Sequence, residues 1–521
     1  MNPTSSFRRP RPEALLLCIF LTAAPAVHGA ARDQAEAKVA VRFDQIADSP
    51  AQLRMFLQAM PKGADLHNHL GGSVYAEDYL RWAGDQGMCI ATDSNSIVPP
   101  PCDAPGRMPA RDLASKAYLR YAQVVDTLST RGVEQGIGDP VQPARERFFA
   151  AFDGFRPISQ SSFPAKIATA REAAAGDRVS YVELIAMPLA AQPLLEAAKK
   201  MRGDANDFAK LASTLAPMLP AAIARARADL DRYDAQVAAM LGCNGAAPRP
   251  ACDIEVRYQV PSQRSWPAPQ VFAALAFGFA LADTDPRWVG VNLLGPEHHP
   301  ASDQDYALHM RMLAHLKKQH PGVPMSLHAG ELTLGLVPPR YLRSHIHDAV
   351  VCAGAARIGH GVDIAYEHDA AALLKRMARD EIAVEINLTS NAVILGVKGK
   401  DHPLTLYRAA GVPVVLSTDD QGVLRSDMTH EYLRAVREHG LRYLDLKQIA
   451  RDGLQYAFLP GASLWQTRAG GARVPECAAL STTPDAACTR FLGGSPKARL
   501  QWRLERDLGD FERAMLEDAD R

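Results

Sequence analysis

From about residue 60 onward the chain alternates short runs dense in Val, Ile and Leu with longer Ala-rich or amphipathic stretches. Eight of these runs read as strands: "ADLHNHL", "SYVELIAM", "IEVRYQV", "WVGVNLLG", "MSLHAGE", "RIGHGVDI", "AVEINLTS" and "VPVVLSTDD". Near-continuous hydrophobicity suits strands covered on both faces, and strand–helix alternation implies a parallel sheet. Eight such units predict an α/β fold, a (β/α)8 TIM-type barrel whose active site lies at the C-terminal ends of the strands. A doubly wound open sheet is the other arrangement the alternation allows.

Two connections, at about residues 71–178 and 188–252, are too long for simple loops between strand and helix. The first carries a cysteine pair and several helical patterns; the second contains "AAIARARADLDRYDAQVAAML" followed by another pair. Both are expected as helical, disulfide-bearing insertions in one domain spanning 32–521, because no repeat, low-complexity tract or linker divides it. Near the C-terminus Leu500, Leu504, Leu508, Phe511 and Met515 recur at helical spacing among charged residues, which predicts a helix packed on the barrel exterior. Oligomeric state is left open.

Residues 1–31 have the pattern of an export signal: Arg8, Arg9 and Arg11, then the apolar "ALLLCIFLTAAPAV", then small residues from Gly29 to Ala31. A protein exported to the periplasm or secreted is the expectation. Cys18 within this segment is preceded by bulky Leu17, which disfavours lipid attachment. The apolar core falls short of the ~20 residues that a spanning helix needs, so no membrane span is expected. In an oxidising compartment the short spacings predict the disulfides Cys89–Cys102, Cys243–Cys252 and Cys477–Cys488, with Cys352 left reduced as a small residue on a buried helix. The chain's 58 Lys and Arg balance its 58 Asp and Glu, which removes the basic excess expected of a nucleic-acid or anionic-membrane binder and points to a small-molecule partner.

The polar residues at the strand ends give that partner a chemistry. His67 and His69 close the first strand, and as residues i and i+2 they project to one face. His328 and Glu331 end the fifth strand, His360 the sixth, and Asp419 and Asp420 the eighth, so a barrel brings all of them to one mouth. Three imidazoles and a carboxylate suit Zn²⁺ with an open position for water. Read singly, Glu331 also fits a structural partner of a ligand histidine, His360 a fourth ligand or a core residue, and Asp420 an orienting neighbour. His298 and His299 read as loop residues.

Together "MPKGADLHNHLGGS", "SLHAGE", "RIGHG" and "STDD" resemble the successive signatures of the adenosine deaminase family, over about residues 60–460. The export segment and cysteine-bearing insertions further resemble the secreted adenosine deaminase-related group. The resemblance implies one zinc per chain held by His67, His69, His328 and Asp419. It also implies Glu331 and His360 as catalytic groups, and Asp420 with the backbone of Gly295 in "NLLGPE" as contacts to a purine nucleoside. The expected reaction is hydrolytic deamination of adenosine or 2′-deoxyadenosine. Glu331 would protonate N1 while His360 and Asp419 orient a zinc-acidified water towards C6. The absence of a lysine in "VGVNLLGPE" favours one metal over a lysine-bridged pair. Gly71 stands where the family often has an acidic residue for the ribose 5′-hydroxyl, Gln421 where Pro is common, and "INLTSN" matches the seventh-strand signature only in part. An adenine or modified-adenosine deaminase would keep the same centre, and an inactive secreted nucleoside-binding protein would keep the barrel alone.

Overall fold

In the computed structural model, which describes residues 24–137, 143–479 and 483–517, the eight runs form eight parallel strands. β1 (Gly63–His69), β2 (Val179–Ile185), β3 (Glu255–Gln263) and β4 (Trp288–Leu294) pair in that order, as do β5 (Ser326–Ala329), β6 (Arg357–His360), β7 (Ala383–Ile386) and β8 (Val414–Leu416). Two parallel bridges, Val291 with Met325 and Asn68 with Asp419, join the halves into a closed barrel. An open sheet is therefore excluded. The second bridge lies at the chemistry: His69 N–H donates to the Asp419 carbonyl at 2.9 Å, and Asp419 N–H donates to the His67 carbonyl at 2.8 Å.

β2 is buried along its whole length. The helix Ala268–Ala282, with Val271, Phe272, Leu275 and Phe279 buried, shows why a continuous apolar strand meets a helix apolar on nearly every side. At the other end of the chain, helix Pro496–Glu517 places Leu500, Leu504 and Leu508 against Ala64, Leu66 and Val415 of β1 and β8, as the helical spacing predicts.

The segment between β1 and β2 contains helices Ala76–Asp85, Leu113–Lys116, Tyr118–Thr127, Ala144–Ser161 and Phe163–Gly176. It also contains a small antiparallel sheet of Cys89–Ala91, Ile97–Val98 and Arg107–Pro109 that the sequence pattern did not predict. Tyr79, Val124, Phe148 and Phe155 of this segment share a core with Val393 and Ile394 after β7 and with Val423 and Leu424 after β8. That contact sets the insertion over the C-terminal mouth of the barrel. The second insertion contributes helices Gln192–Lys199, Phe208–Leu215 and Leu219–Leu241.

All three predicted cysteine pairs are bonded. Cys352 is unpaired as expected but not buried: Val350 and Ala353 turn inward on the wide turn Ala349–Ala353, leaving Cys352 exposed beside Asp348. Of the predicted export segment, residues 1–23 lie outside the described residues, and helix Ala24–Ile46 runs on from there. No helix among the described residues is long and apolar enough to cross a membrane.

Candidate metal and catalytic centre

β1 delivers His67 and His69 to the mouth, β5 delivers His328, and the turn after β8 delivers Asp419. Their ligand atoms lie within 4.8 Å of one another. His328 Nε2 is 3.0 Å from His67 Nε2 and 3.2 Å from His69 Nε2, and Asp419 Oδ1 is 3.1 Å from His69 Nε2 and 3.5 Å from His67 Nε2. Three imidazole nitrogens that converge this closely cannot all be satisfied by protons. One cation at their meeting point serves every lone pair at once.

The other side of each ring explains why the lone pairs point there. Glu385 accepts from His67 Nδ1 at 2.7 Å, which leaves His67 Nε2 to face the centre. His328 is fixed more indirectly. Glu183 can only accept, so it orients the Gln259 amide at 2.9 Å; Gln259 Oε1 then accepts from Asn292 at 3.0 Å, and Asn292 Oδ1 accepts from His328 Nδ1–H at 2.8 Å. Arg357 closes the circuit, donating to Glu385 at 2.6 Å and to Glu183 at 2.5 Å. This polar ring fills the barrel interior beneath the site, and the buried carboxylates are paired, as the cost of isolated buried charge requires. Against the pull of burial, Arg357 and His67 hold Glu385 down to about 2. The set also attracts positive charge: despite burial, Asp419 and Glu385 push His67 up to about 10.

His360 and Asp419 both adopt positive φ, +70° and +57°. Such backbone costs about 1–3 kcal/mol per non-glycine residue and is typical of functional sites. His360 Nε2 faces Asp419 Oδ2 at 3.9 Å, and His360 Nδ1 lies 3.8 Å from Glu331 Oε1. Burial, together with the negative charge of Asp419 and Glu297, pushes Glu331 up to about 8, so it holds a proton at neutral pH. Asp420 is raised well above the usual carboxylate range by burial and by the adjacent Asp419, and its Oδ1 has no partner. That oxygen approaches so closely that a Cβ on Gly72 would lie 1.6 Å from it.

These groups line a cavity of about 340 Å³. His69, His328, Glu331, His360, Asp419, Asp420 and Gly295 are all in its wall, so every predicted site residue but His67 lines it, with His67 buried directly behind. Gly295 sits at φ +101°, and a Cβ there would meet the Gln263 amide at 2.7 Å. The helix Ala144–Ser161 roofs the cavity with Phe148, Phe149, Phe152, Asp153 and Arg156. Sequence reading missed this roof, since nothing in "ARERFFAAFDGF" tells a core helix from a lid. It also missed Glu385 and Glu297, for which a carboxylate inside the apolar "AVEIN" and after "LLGP" was the available signal. His298 is half-buried beside Phe149, and His299 caps the helix Pro300–Gln319.

Residues 244–464 match the family described as adenosine deaminase. An adenosine deaminase of Shewanella loihica is 33% identical over 147 residues, which are 28% of this chain and 41% of that protein. An aminodeoxyfutalosine deaminase of Streptomyces coelicolor is 34% identical over 115 residues, 22% of this chain and 29% of that protein. The chain thus matches less than half the length of either relative. Among solved structures, an adenine deaminase from Arthrobacter aurescens aligns with TM-score 0.48 and 14% identity, covering 77% of this chain and 94% of that one.

Proposed function

We propose that the protein, whose residues 244–464 match the adenosine deaminase family, hydrolytically removes the C6 amine of a purine nucleoside, adenosine or 2′-deoxyadenosine, to give inosine or 2′-deoxyinosine and ammonia. The observation that carries the reading is the joining of the His67, His69, His328 and Asp419 donor set to the buried carboxyl of Glu331 in the wall of one cavity. The donor set fits Zn²⁺, one per chain. When bound, zinc supplies Lewis acidity and brings the ionisation of water near neutrality.

The side chains account for the rest of the chemistry. Protonated Glu331 donates to purine N1, which makes C6 electrophilic and stabilises the negative charge that attack places on the ring. His360 and Asp419 lie across from it and orient the incoming water. Asp420, which carries a proton beside ionised Asp419, offers its unpartnered carboxyl to a purine ring nitrogen, and the Gly295 backbone borders the base edge. Phe149, Phe152, Leu294 and Ile394 provide apolar walls for the ring. Gly71 offers no side-chain acceptor to a ribose; Asp153 and Arg156 on the roof, ion-paired with each other, line the mouth together with Gln263 and Ser265. The three disulfides support function in an oxidising compartment after export.

The test is to load the purified protein with zinc and follow the loss of amino-purine absorbance with adenosine, 2′-deoxyadenosine, adenine and AMP. Turnover of the nucleosides, abolished by chelation and restored by zinc, is the expected result. Turnover of adenine or AMP alone would move the substrate assignment. Binding of nucleosides without turnover would replace enzyme with binding protein.

A further inference from the structure

Two buried side chains behind the site, one oriented by the other, determine which nitrogen of His360 carries its proton. The series starts from a group whose polarity is beyond choice: the Leu404 backbone N–H donates to His402 Nδ1 at 3.2 Å. His402 is buried, and burial together with the nearby His439 and His360 holds it neutral, down to about 3. With Nδ1 accepting, its one proton is on Nε2, and that N–H meets Asn391 Oδ1 at 3.0 Å. The Asn391 amide is thereby oriented, with its NH2 towards His360 Nδ1 at 3.0 Å. The Asn387 NH2 approaches the same nitrogen at 3.4 Å, and Glu331 Oε1, at 3.8 Å, is beyond hydrogen-bond reach.

We propose that Asn391 and His402 are positioning residues that fix His360 as the Nε2–H tautomer, so that His360 enters the reaction as a hydrogen-bond donor and not as a proton acceptor. A neutral imidazole has one donor and one acceptor nitrogen, and the partner of one decides the role of the other. Here the acceptor faces Asn391, and the N–H faces the space beside Asp419 where the proposed reaction places the attacking water. The role of His360 rests on the deaminase reading; the tautomer does not.

The direct test is long-range ¹H–¹⁵N correlation spectroscopy of the zinc-loaded protein with ¹⁵N-labelled histidine, with the His360 signals identified by their absence in His360→Gln. The expected spectrum shows a protonated Nε2 and an unprotonated Nδ1. Asn391→Asp replaces a donor by an acceptor-only carboxylate, so the proton should move to Nδ1, or both nitrogens should become protonated. The kcat should then fall at least ~10-fold with zinc content and KM held. His402→Gln, whose amide can still donate to Asn391, should keep the tautomer and stay within about threefold of the parent in kcat. If Asn391→Asp does not fold, His402→Leu, which removes the donor that orients Asn391, should give a mixture of tautomers. A protonated Nδ1 in the unmodified protein, or an unchanged spectrum in Asn391→Asp or in His402→Leu, would overturn the proposal. The expected spectrum in a protein that deaminates no purine would leave the tautomer assignment standing and remove only the function.

Discussion

At the scale of single residues, the chemistry turns on the proton of Glu331. Burial, Asp419 and Glu297 raise its carboxyl to about 8, so the protonated, active form predominates below that pH and is lost as the pH rises through it. The kcat/KM of the zinc-loaded protein should therefore decline on an alkaline limb, and a profile flat to well beyond that value would remove Glu331 as the acid. Glu331→Gln keeps the shape without the proton, and turnover should drop at least ~10²-fold with zinc retained. Metal analysis beside the rate separates this from loss of the site. A second residue-scale expectation concerns the ribose. The Gly71 carbonyl accepts from Tyr79, and a Cβ at Gly71 would meet Ser159 Oγ at 3.7 Å, so this strand end is committed to the insertion above it. Asp153 on the roof takes over the contact in our reading, and a hydrogen bond to a charged group contributes roughly 1.5–3 kcal/mol. Asp153→Ala should lower kcat/KM for adenosine about tenfold or more while leaving 5′-deoxyadenosine nearly unchanged. Equal losses on both substrates would return the contact to another group.

At the scale of elements, what the sequence made legible follows from how each element is buried. Strands covered on both faces must be apolar throughout, so all eight barrel strands stand out, and the histidines and carboxylates that end them stand out by contrast. The sheet of Cys89–Ala91, Ile97–Val98 and Arg107–Pro109 has strands of two or three residues, too short for any period to show. The ring of Glu183, Gln259, Asn292, Arg357 and Glu385 was hidden for a different reason: each member lies on its own strand, and only barrel closure brings them together. The cysteines were legible through spacing and Cys352 was not, because a one-residue widening of its turn decides which way it faces. Peptide mapping without reduction should recover Cys89–Cys102, Cys243–Cys252 and Cys477–Cys488 as linked peptides, with Cys352 alkylated in the native state. Alkylation of the six others would count against both pairing and compartment.

At the scale of the whole molecule, the site and the closure of the barrel are one structure. β1 and β8, the strands farthest apart in sequence, are joined by the reciprocal hydrogen bonds of Asp419 with His67 and His69, all three members of the proposed metal set. A metal that binds only the folded chain stabilises it by about 4 kcal/mol at a thousandfold excess over its dissociation constant. In this fold that stabilisation acts on one seam. At the opposite seam the bridging residues, Val291 and Met325, do not belong to the metal set; its one member there, His328 on β5, reaches β4 through the Asn292 side chain and not through the backbone. Removing the metal should lower the thermal midpoint and, more tellingly, should speed hydrogen exchange at the amides of His69 and Asp419 while Val291, whose N–H is bound to the Pro324 carbonyl, keeps its protection. Arg357→Leu provides the contrast. It leaves Glu183 and Glu385 buried without their shared cation, a loss on the scale of ~3–5 kcal/mol, and should loosen strands on both sides of the interior. Exchange that rises equally at both seams on metal removal would mean that the ion stabilises the barrel as a whole and that the bridge at Asp419 holds without it.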